Sequence, residues 1–274
     1  MLELFPVHKK RLAFNLCLFV AMLVALYFIS PTINPLLLAL IALAGCAAIF
    51  IMQYMRAAAQ HSALLNVLYN ELDAERFLRA YEPLLDRKVR SQNLYLMVRL
   101  HLSNAYCALG RFDDAMRVLT SVQLRPTKPE KRLLFQFSID SNLCYCYEQK
   151  GDIEAAQRHL TALRKTLAEL EAIQQTKPPK QRMVFSIAFN EQCMKFLTEG
   201  CADIDVLKEQ VEKSNQQLHR VTASLWIARS YLAQHNRREA ERALERIVNL
   251  AGHLYPGRVA KELLDALPGR AEDE

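Results

Sequence analysis

Three groupings of side chains in this 274-residue sequence have types and spacings that could do chemistry. Cys144-Tyr145-Cys146 suggests a metal or redox pair. On a helix, however, residues i and i+2 point about 200° apart, so the two thiols cannot share one ion. His101 and Cys107 have the types of a thiol–imidazole nucleophile pair, but they lie six residues apart on one predicted helix with no third group to orient the ring. Arg238, Arg242 and Arg246 form a helical stripe that could meet anionic lipid or an acidic partner. Glu241 and Glu245 interleave with it, so the stripe reads as a solvated, self-neutralising face. Arg87, Lys88 and Arg90 could touch headgroups, and Glu82 and Asp86 beside them weaken that reading. His159, His219 and His253 show no ligand spacing, and the seven glycines are too isolated to build a phosphate loop. The expectation is a protein that is not an enzyme and has no cofactor and no metal.

The composition agrees with a packed, non-catalytic chain. With 51% hydrophobic residues, disorder is excluded, and 7 Gly and 10 Pro leave no room for collagen-like or linker-rich sequence. Seven cysteines in a chain this long make no disulfide framework, and the odd count fits a reducing compartment. The charge balance of 35 − 29 = +6 does not argue for nucleic acid, and none is expected as a partner.

The elements begin with an apolar stretch. From Leu12 to Met55, 44 positions carry no charged side chain. A bilayer core about 30 Å thick takes roughly 20 residues per helix, so two spans fit, at 12–29 and 36–55. The break falls at Ser30-Pro31-Thr32-Ile33-Asn34-Pro35. Ala42, Ala44, Gly45, Cys46, Ala47 and Ala48 form a small-residue patch where two backbones can approach, and Asn15 could bond across the pair. A cleaved signal peptide lacks its small-residue site at Tyr27-Phe28-Ile29-Ser30. Leu43-Ala44-Gly45-Cys46 has the look of a lipobox, but apolar residues continue after it and a full span precedes it. Lys9, Lys10 and Arg11 before the stretch and Arg56 after it orient both ends to the cytoplasm. The expected protein is integral to a bacterial cell membrane, held in the lipid bilayer through residues 12–55. Its N-terminus (1–11) and everything downstream would be cytoplasmic.

Beyond Arg56 the periodicity is 3.6 with no credible strand, so the expected fold is all-α. A repeat emerges when Gly110, Gly151, Gly200 and His235 are superposed. Four residues earlier stand Tyr106, Tyr147, Phe196 and Tyr231; seven earlier stand Ser103, Cys144, Cys193 and Ala228. Five later come Ala115, Ala156, Asp205 and Ala240; nine later come Leu119, Leu160, Glu209 and Leu244. The third unit loses register in its second helix, where Val206, Leu207 and Val211 must carry the packing.

Asn104–Ala115 and Cys146–Ala156 resemble the helix–turn–helix signature of the tetratricopeptide repeat family, and Ser224–Leu244 is recognisably similar. Ala74–Leu85 resembles one second helix. The resemblance implies a TPR-like α-solenoid of antiparallel helix pairs over 56–267, closed by a capping helix at Arg258–Leu267 and followed by a flexible tail at 268–274. It also implies a concave groove lined by the first helix of each pair. Carried over by the anchors, the groove positions also include Cys107, Glu148, Leu197 and Leu232, and the residues expected to contact a ligand are Leu100, Asn104, Ser141, Tyr145, Asn190, Met194, Leu225 and Arg229. Asn104, Ser141, Tyr145 and Asn190 suit a peptide backbone; Leu100, Met194 and Leu225 would form apolar pockets. The family's carboxylate clamp is argued against by Leu100, Ile187 and Glu191, which stand where cations belong. The expected function is a membrane-anchored adaptor or scaffold that binds a cytoplasmic protein or extended peptide. The alternative is an assembly subunit of a membrane complex acting through its hairpin.

Overall fold

A computed structural model describes residues 9–29, 35–85, 92–124, 128–173 and 179–268. Residues 30–34 of the expected break, the cations at 87, 88 and 90 with Asp86 beside them, and residues 269–274 of the tail lie outside these. All described secondary structure is helical, twelve α-helices and one 3-10 turn, so the all-α fold holds. The chain divides into two compact units, Met1–Asn66 and Val67–Glu274.

The first unit contains α1 (Lys9–Ile29) and most of α2 (Pro35–Tyr69). Leu, Ala, Phe and Met dominate both, and no interior proline or charge interrupts the helical ladder up to Arg56. Among the described residues one stretch, Ala39–Tyr69 of α2, is long and apolar enough to cross a membrane; α1 contributes the shorter apolar stretch Ala13–Ala25. Their large apolar side chains face outward: Phe14, Leu18, Phe28, Leu36 and Leu43 are all more than 60% exposed. Gly45 sits against the ring of Phe19, where an added Cβ would come within 1.9 Å of Cζ.

The second unit is built of helix pairs. After the end of α2 come α3 (Ala74–Tyr81) and the 3-10 turn Glu82–Leu84. Four pairs follow: α4 (Gln92–Ala108) with α5 (Phe112–Thr120), α6 (Pro129–Lys150) with α7 (Ile153–Ile173), α8 (Pro179–Glu199) with α9 (Ile204–Lys213), and α10 (Gln217–Ala233) with α11 (Arg237–Ala251). A final helix, α12 (Tyr255–Asp265), packs on α11 and α10. The first helices of successive pairs also touch: α4 meets α6, α6 meets α8, and α8 meets α10.

The four anchor positions share one backbone state. Gly110, Gly151, Gly200 and His235 have φ of +75°, +73°, +76° and +58°, the left-handed region that ends a helix and turns the chain. At three of them the next residue's amide reaches back to the aromatic of the repeat: Arg111 N to Tyr106 O, Asp152 N to Tyr147 O and Asn236 N to Tyr231 O, at 2.8–3.0 Å. His235 holds this conformation with a Cβ, which is the costlier solution.

Packing between paired helices follows from size. Ser103, Cys144, Cys193 and Ala228 are all fully buried, and so are Ala115, Ala156 and Ala240 on the facing second helices. Only small side chains let the backbones come this close. In α9 the corresponding positions are the exposed Asp205 and Glu209, and Leu207 supplies the buried contact together with Trp226 from α10.

The end of the second unit returns to its beginning. His253 Nε2 lies 2.8 Å from Leu72 O, Arg258 donates to Leu109 O at 2.8 Å, and the Gln217 amide meets Asn70 Oδ1 at 3.3 Å. Tyr255 sets its ring edge-on to Phe112, with centroids 4.9 Å apart. Gly110 admits this ring because it has no Cβ; one placed there would meet Tyr255 Cδ2 at 2.7 Å. Thus α12, expected as an end cap, joins the last pair to the first.

Candidate functional site

The first helices of the pairs enclose a cleft of about 500 Å3, within the size range of sites for drug-sized ligands. Tyr69 enters from the end of α2, Asn104 and Cys107 from α4, and Ser141, Asn142 and Tyr145 from α6. From α8 come Arg182, Phe185, Ser186, Phe189 and Asn190; the 213–216 turn and α10, with His219 and Thr222, complete the rim. Pro256 of α12 also lines it.

A chain of hydrogen bonds organises one wall. Asn142 Nδ2 donates to Asn104 Oδ1 at 2.7 Å and to Ser103 Oγ at 2.9 Å; Asn104 Nδ2 donates to Tyr69 Oη at 2.7 Å. Tyr69 Oη in turn lies 2.8 Å from His101 Nδ1. Burial pushes the Tyr69 phenol up to about 12, so it stays protonated at neutral pH. On the next helices Ser141 Oγ and Ser186 Oγ are 2.8 Å apart.

The opposite wall leaves polar atoms unsatisfied. Asn190 is 2% exposed; its Nδ2 donates to Ser186 O, while its buried Oδ1 has no partner. His219 Nε2 is likewise buried and unpartnered. Its ring lies against Phe185 and Phe189, and burial lowers its pKa to about 4, so the imidazole is neutral at physiological pH. A buried polar atom without a partner costs on the order of 1–3 kcal/mol, which a ligand's complementary group would recover. The charged side chains of the lining are both cations, Arg182 and Lys213, and Lys213 is paired with Glu209.

Of the eight groove residues expected from the repeat register, Asn104, Ser141, Tyr145 and Asn190 line the cleft. The other four lie elsewhere. Leu100 packs against the core around Leu96, Leu119 and Leu143; Met194 is buried with Leu160 and Leu163; Leu225 is 2% exposed. Arg229 lays its guanidinium over the Trp226 ring, 4.8 Å from the centroid. Sequence reasoning missed Tyr69, Phe185, Ser186, Phe189 and His219. Phe185, Ser186 and Phe189 stand at i, i+1 and i+4 near the start of α8 and His219 near the start of α10, a signal visible only once the offset between successive helices is known.

The chemical candidates resolve into packing and hydrogen bonding. His101 bonds Tyr69, not Cys107. Cys144 and Cys146 are both fully buried, and among the described residues no cluster of His, Cys, Asp or Glu has the geometry to hold a metal ion. In the Arg238 stripe, Arg242 pairs with Glu239. His159 Nδ1 meets Asp140 at 2.9 Å. Comparison of the chain with protein-family models, with characterised proteins and with solved structures finds no match.

Proposed function

We propose that this protein is a membrane-anchored adaptor of tetratricopeptide-repeat type, holding a protein or extended peptide in the polar cleft of its helical repeat domain. The observation that carries this reading is the convergence of Asn104, Ser141, Tyr145 and Asn190 on one cleft from three successive first helices. Amides and hydroxyls so placed match the alternating donors and acceptors of an extended backbone. The unpartnered Asn190 Oδ1 is an acceptor waiting for an N–H. Arg182 and Lys213 at the rim, with no carboxylate among the described lining residues, favour a neutral or acidic segment. The solenoid reading is supported by the shared left-handed anchors and the buried small residues seven positions before them. No catalytic role is assigned to any residue.

The anchor is the hairpin of residues 12–55, both ends cytoplasmic. Its support is the outward apolar surface of α1 and α2 and the close seat of Gly45 on Phe19. The same surface supports a second reading, an assembly subunit whose α1 and α2 pack against other membrane helices.

Site-specific photo-crosslinking in native membranes separates the two. A crosslinker replacing Ser214 at the cleft rim should capture a partner that is lost on Asn190→Ala, and one replacing Arg246 should not. Capture only from a position such as Leu43 would favour the assembly subunit. Equal capture from Arg246 would move the binding surface away from the cleft.

A further inference from the structure

Four buried cysteines lie where α4, α6 and α8 meet, and they divide into two kinds. Cys144 donates to Glu148 Oε1 at 3.3 Å and to Ala156 O at 3.4 Å, so that thiol is occupied. Cys193 is buried beside the same carboxyl group. Cys107 and Cys146, 39 residues apart on α4 and α6, have each other: their sulfurs are 3.4 Å apart. A disulfide needs about 2.05 Å, and the two sulfurs are carried by helices already in contact. Neither the Cys144-Tyr145-Cys146 spacing nor the His101–Cys107 spacing points to this pair.

The two sulfurs also differ in access. Cys107 lines the cleft beside Tyr145, whereas Cys146 is fully buried behind it. An oxidant entering the cleft therefore meets Cys107 first and finds the second thiol in place. We propose that Cys107 and Cys146 are an oxidisable dithiol that closes a disulfide between α4 and α6 when a peroxide reaches the cleft. The Cys107 sulfur attacks the peroxide, forming the sulfenic acid and releasing one water. The Cys146 thiol then attacks that sulfur, the S–S bond forms and a second water leaves. Two thiols give up two electrons and two protons, and one hydrogen peroxide becomes two waters. The hydrogen bond with Cys146 and burial both raise the Cys107 pKa well above that of an ordinary thiol, so the pair responds slowly, to sustained rather than brief oxidant. Once formed, the bridge ties together the helices that carry Asn104 and Asn142, fixing one wall of the cleft. The proposal stands whether or not the cleft binds a peptide.

The test uses the full chain in detergent micelles or lipid nanodiscs, treated with hydrogen peroxide, alkylated with iodoacetamide and digested without reduction. Mass spectrometry should find a peptide pair linked through Cys107 and Cys146. The link should vanish in Cys107→Ser and Cys146→Ser and on treating the wild-type chain with dithiothreitol. The oxidised wild-type protein should also melt at a higher temperature than the reduced one. Recovery of Cys107 only as its alkylated or singly oxidised form, or linkage of Cys144 to Cys193 in its place, would overturn the proposal.

Discussion

The seams inside the helix pairs and the wall of the cleft are made from the same helices with opposite economies. In the seams a small residue meets a facing Ala or Leu, and Ser103, Cys144, Ala115, Ala156, Ala240 and Leu244 are sealed from solvent. A few residues along the same helices the wall is amide and hydroxyl, and it keeps the buried Asn190 Oδ1 and His219 Nε2 without partners. Natural sequences break packing rules where binding or chemistry requires it. The contrast therefore teaches where stability resides and where it has been given up. Substitution in the seams should cost folding, and substitution on the wall should cost little folding and, on the proposed reading, weaken recognition.

The largest effect should come from Trp226→Ala. This side chain is 1% exposed, packed among Cys193, Leu207 and Phe196 in the pair whose second helix has lost its register. Truncating it should lower stability by about 3–5 kcal/mol, read by chemical denaturation of the solubilised protein. A loss below about 1 kcal/mol would erase the contrast at that pair.

Next comes Glu148, an acid inside the packed region whose Oε2 has no partner. Burial raises Glu148 to about 8, although Cys144 donates to its Oε1 and the thiols of Cys144 and Cys193 beside it act to lower the value. In the folded state it stays protonated, while in the unfolded chain it ionises near 4.3. Stability should be full below that value and fall as pH rises toward about 8, because the unfolded state releases a proton the folded state retains. At about 1.4 kcal/mol per unit the loss amounts to several kcal/mol at most. Glu148→Gln should flatten that slope of melting temperature between pH 5 and 8 and melt above wild type at pH 8. His219 runs in the opposite sense: lowered to about 4, it costs stability as pH falls below its ordinary value of about 6.5.

Overpacking the seam is a smaller perturbation. Ala115→Leu should destabilise by about 1–3 kcal/mol, since the site has no room for three more carbons. The smallest effect sharpens the other side of the comparison. Asn190→Ala removes one hydrogen bond to Ser186 O and one unsatisfied oxygen, so the net change should be within about 1 kcal/mol. A large loss of melting temperature there would make the wall structural.

Much of this was legible in the sequence. The four left-handed helix ends, the small residues seven positions before them and the failure of the third unit at Asp205 and Glu209 all follow from local chemistry repeated at intervals. The lining of the cleft was half legible. Transferring one register to every first helix picked out Asn104, Ser141, Tyr145 and Asn190, which line it. It also selected Leu100, Met194 and Leu225, which the stacking turns into helix–helix contacts. Each first helix meets the cleft at a different height, near its end in α4 and near its start in α10, and no local pattern carries that offset. The Cys107–Cys146 contact and the return of α12 to Leu109 and Gly110 are products of the same stacking.

That return has a consequence for how the protein is made. Open repeat arrays can settle unit by unit, since each repeat needs only its neighbours. Here the turn at Leu109–Gly110 is completed by Tyr255 and Arg258, and the Leu72 carbonyl by His253, 181 residues further on. At about 5–20 residues per second, the ribosome needs roughly 7–30 s to deliver those side chains after Gly110 has emerged. Through that interval Phe112 and the α4–α5 turn stand without their last covering, close in sequence to an apolar segment already made. The α4–α5 turn is therefore completed late in synthesis, and chaperone contacts with this part of the chain during translation should concentrate on α4 and α5.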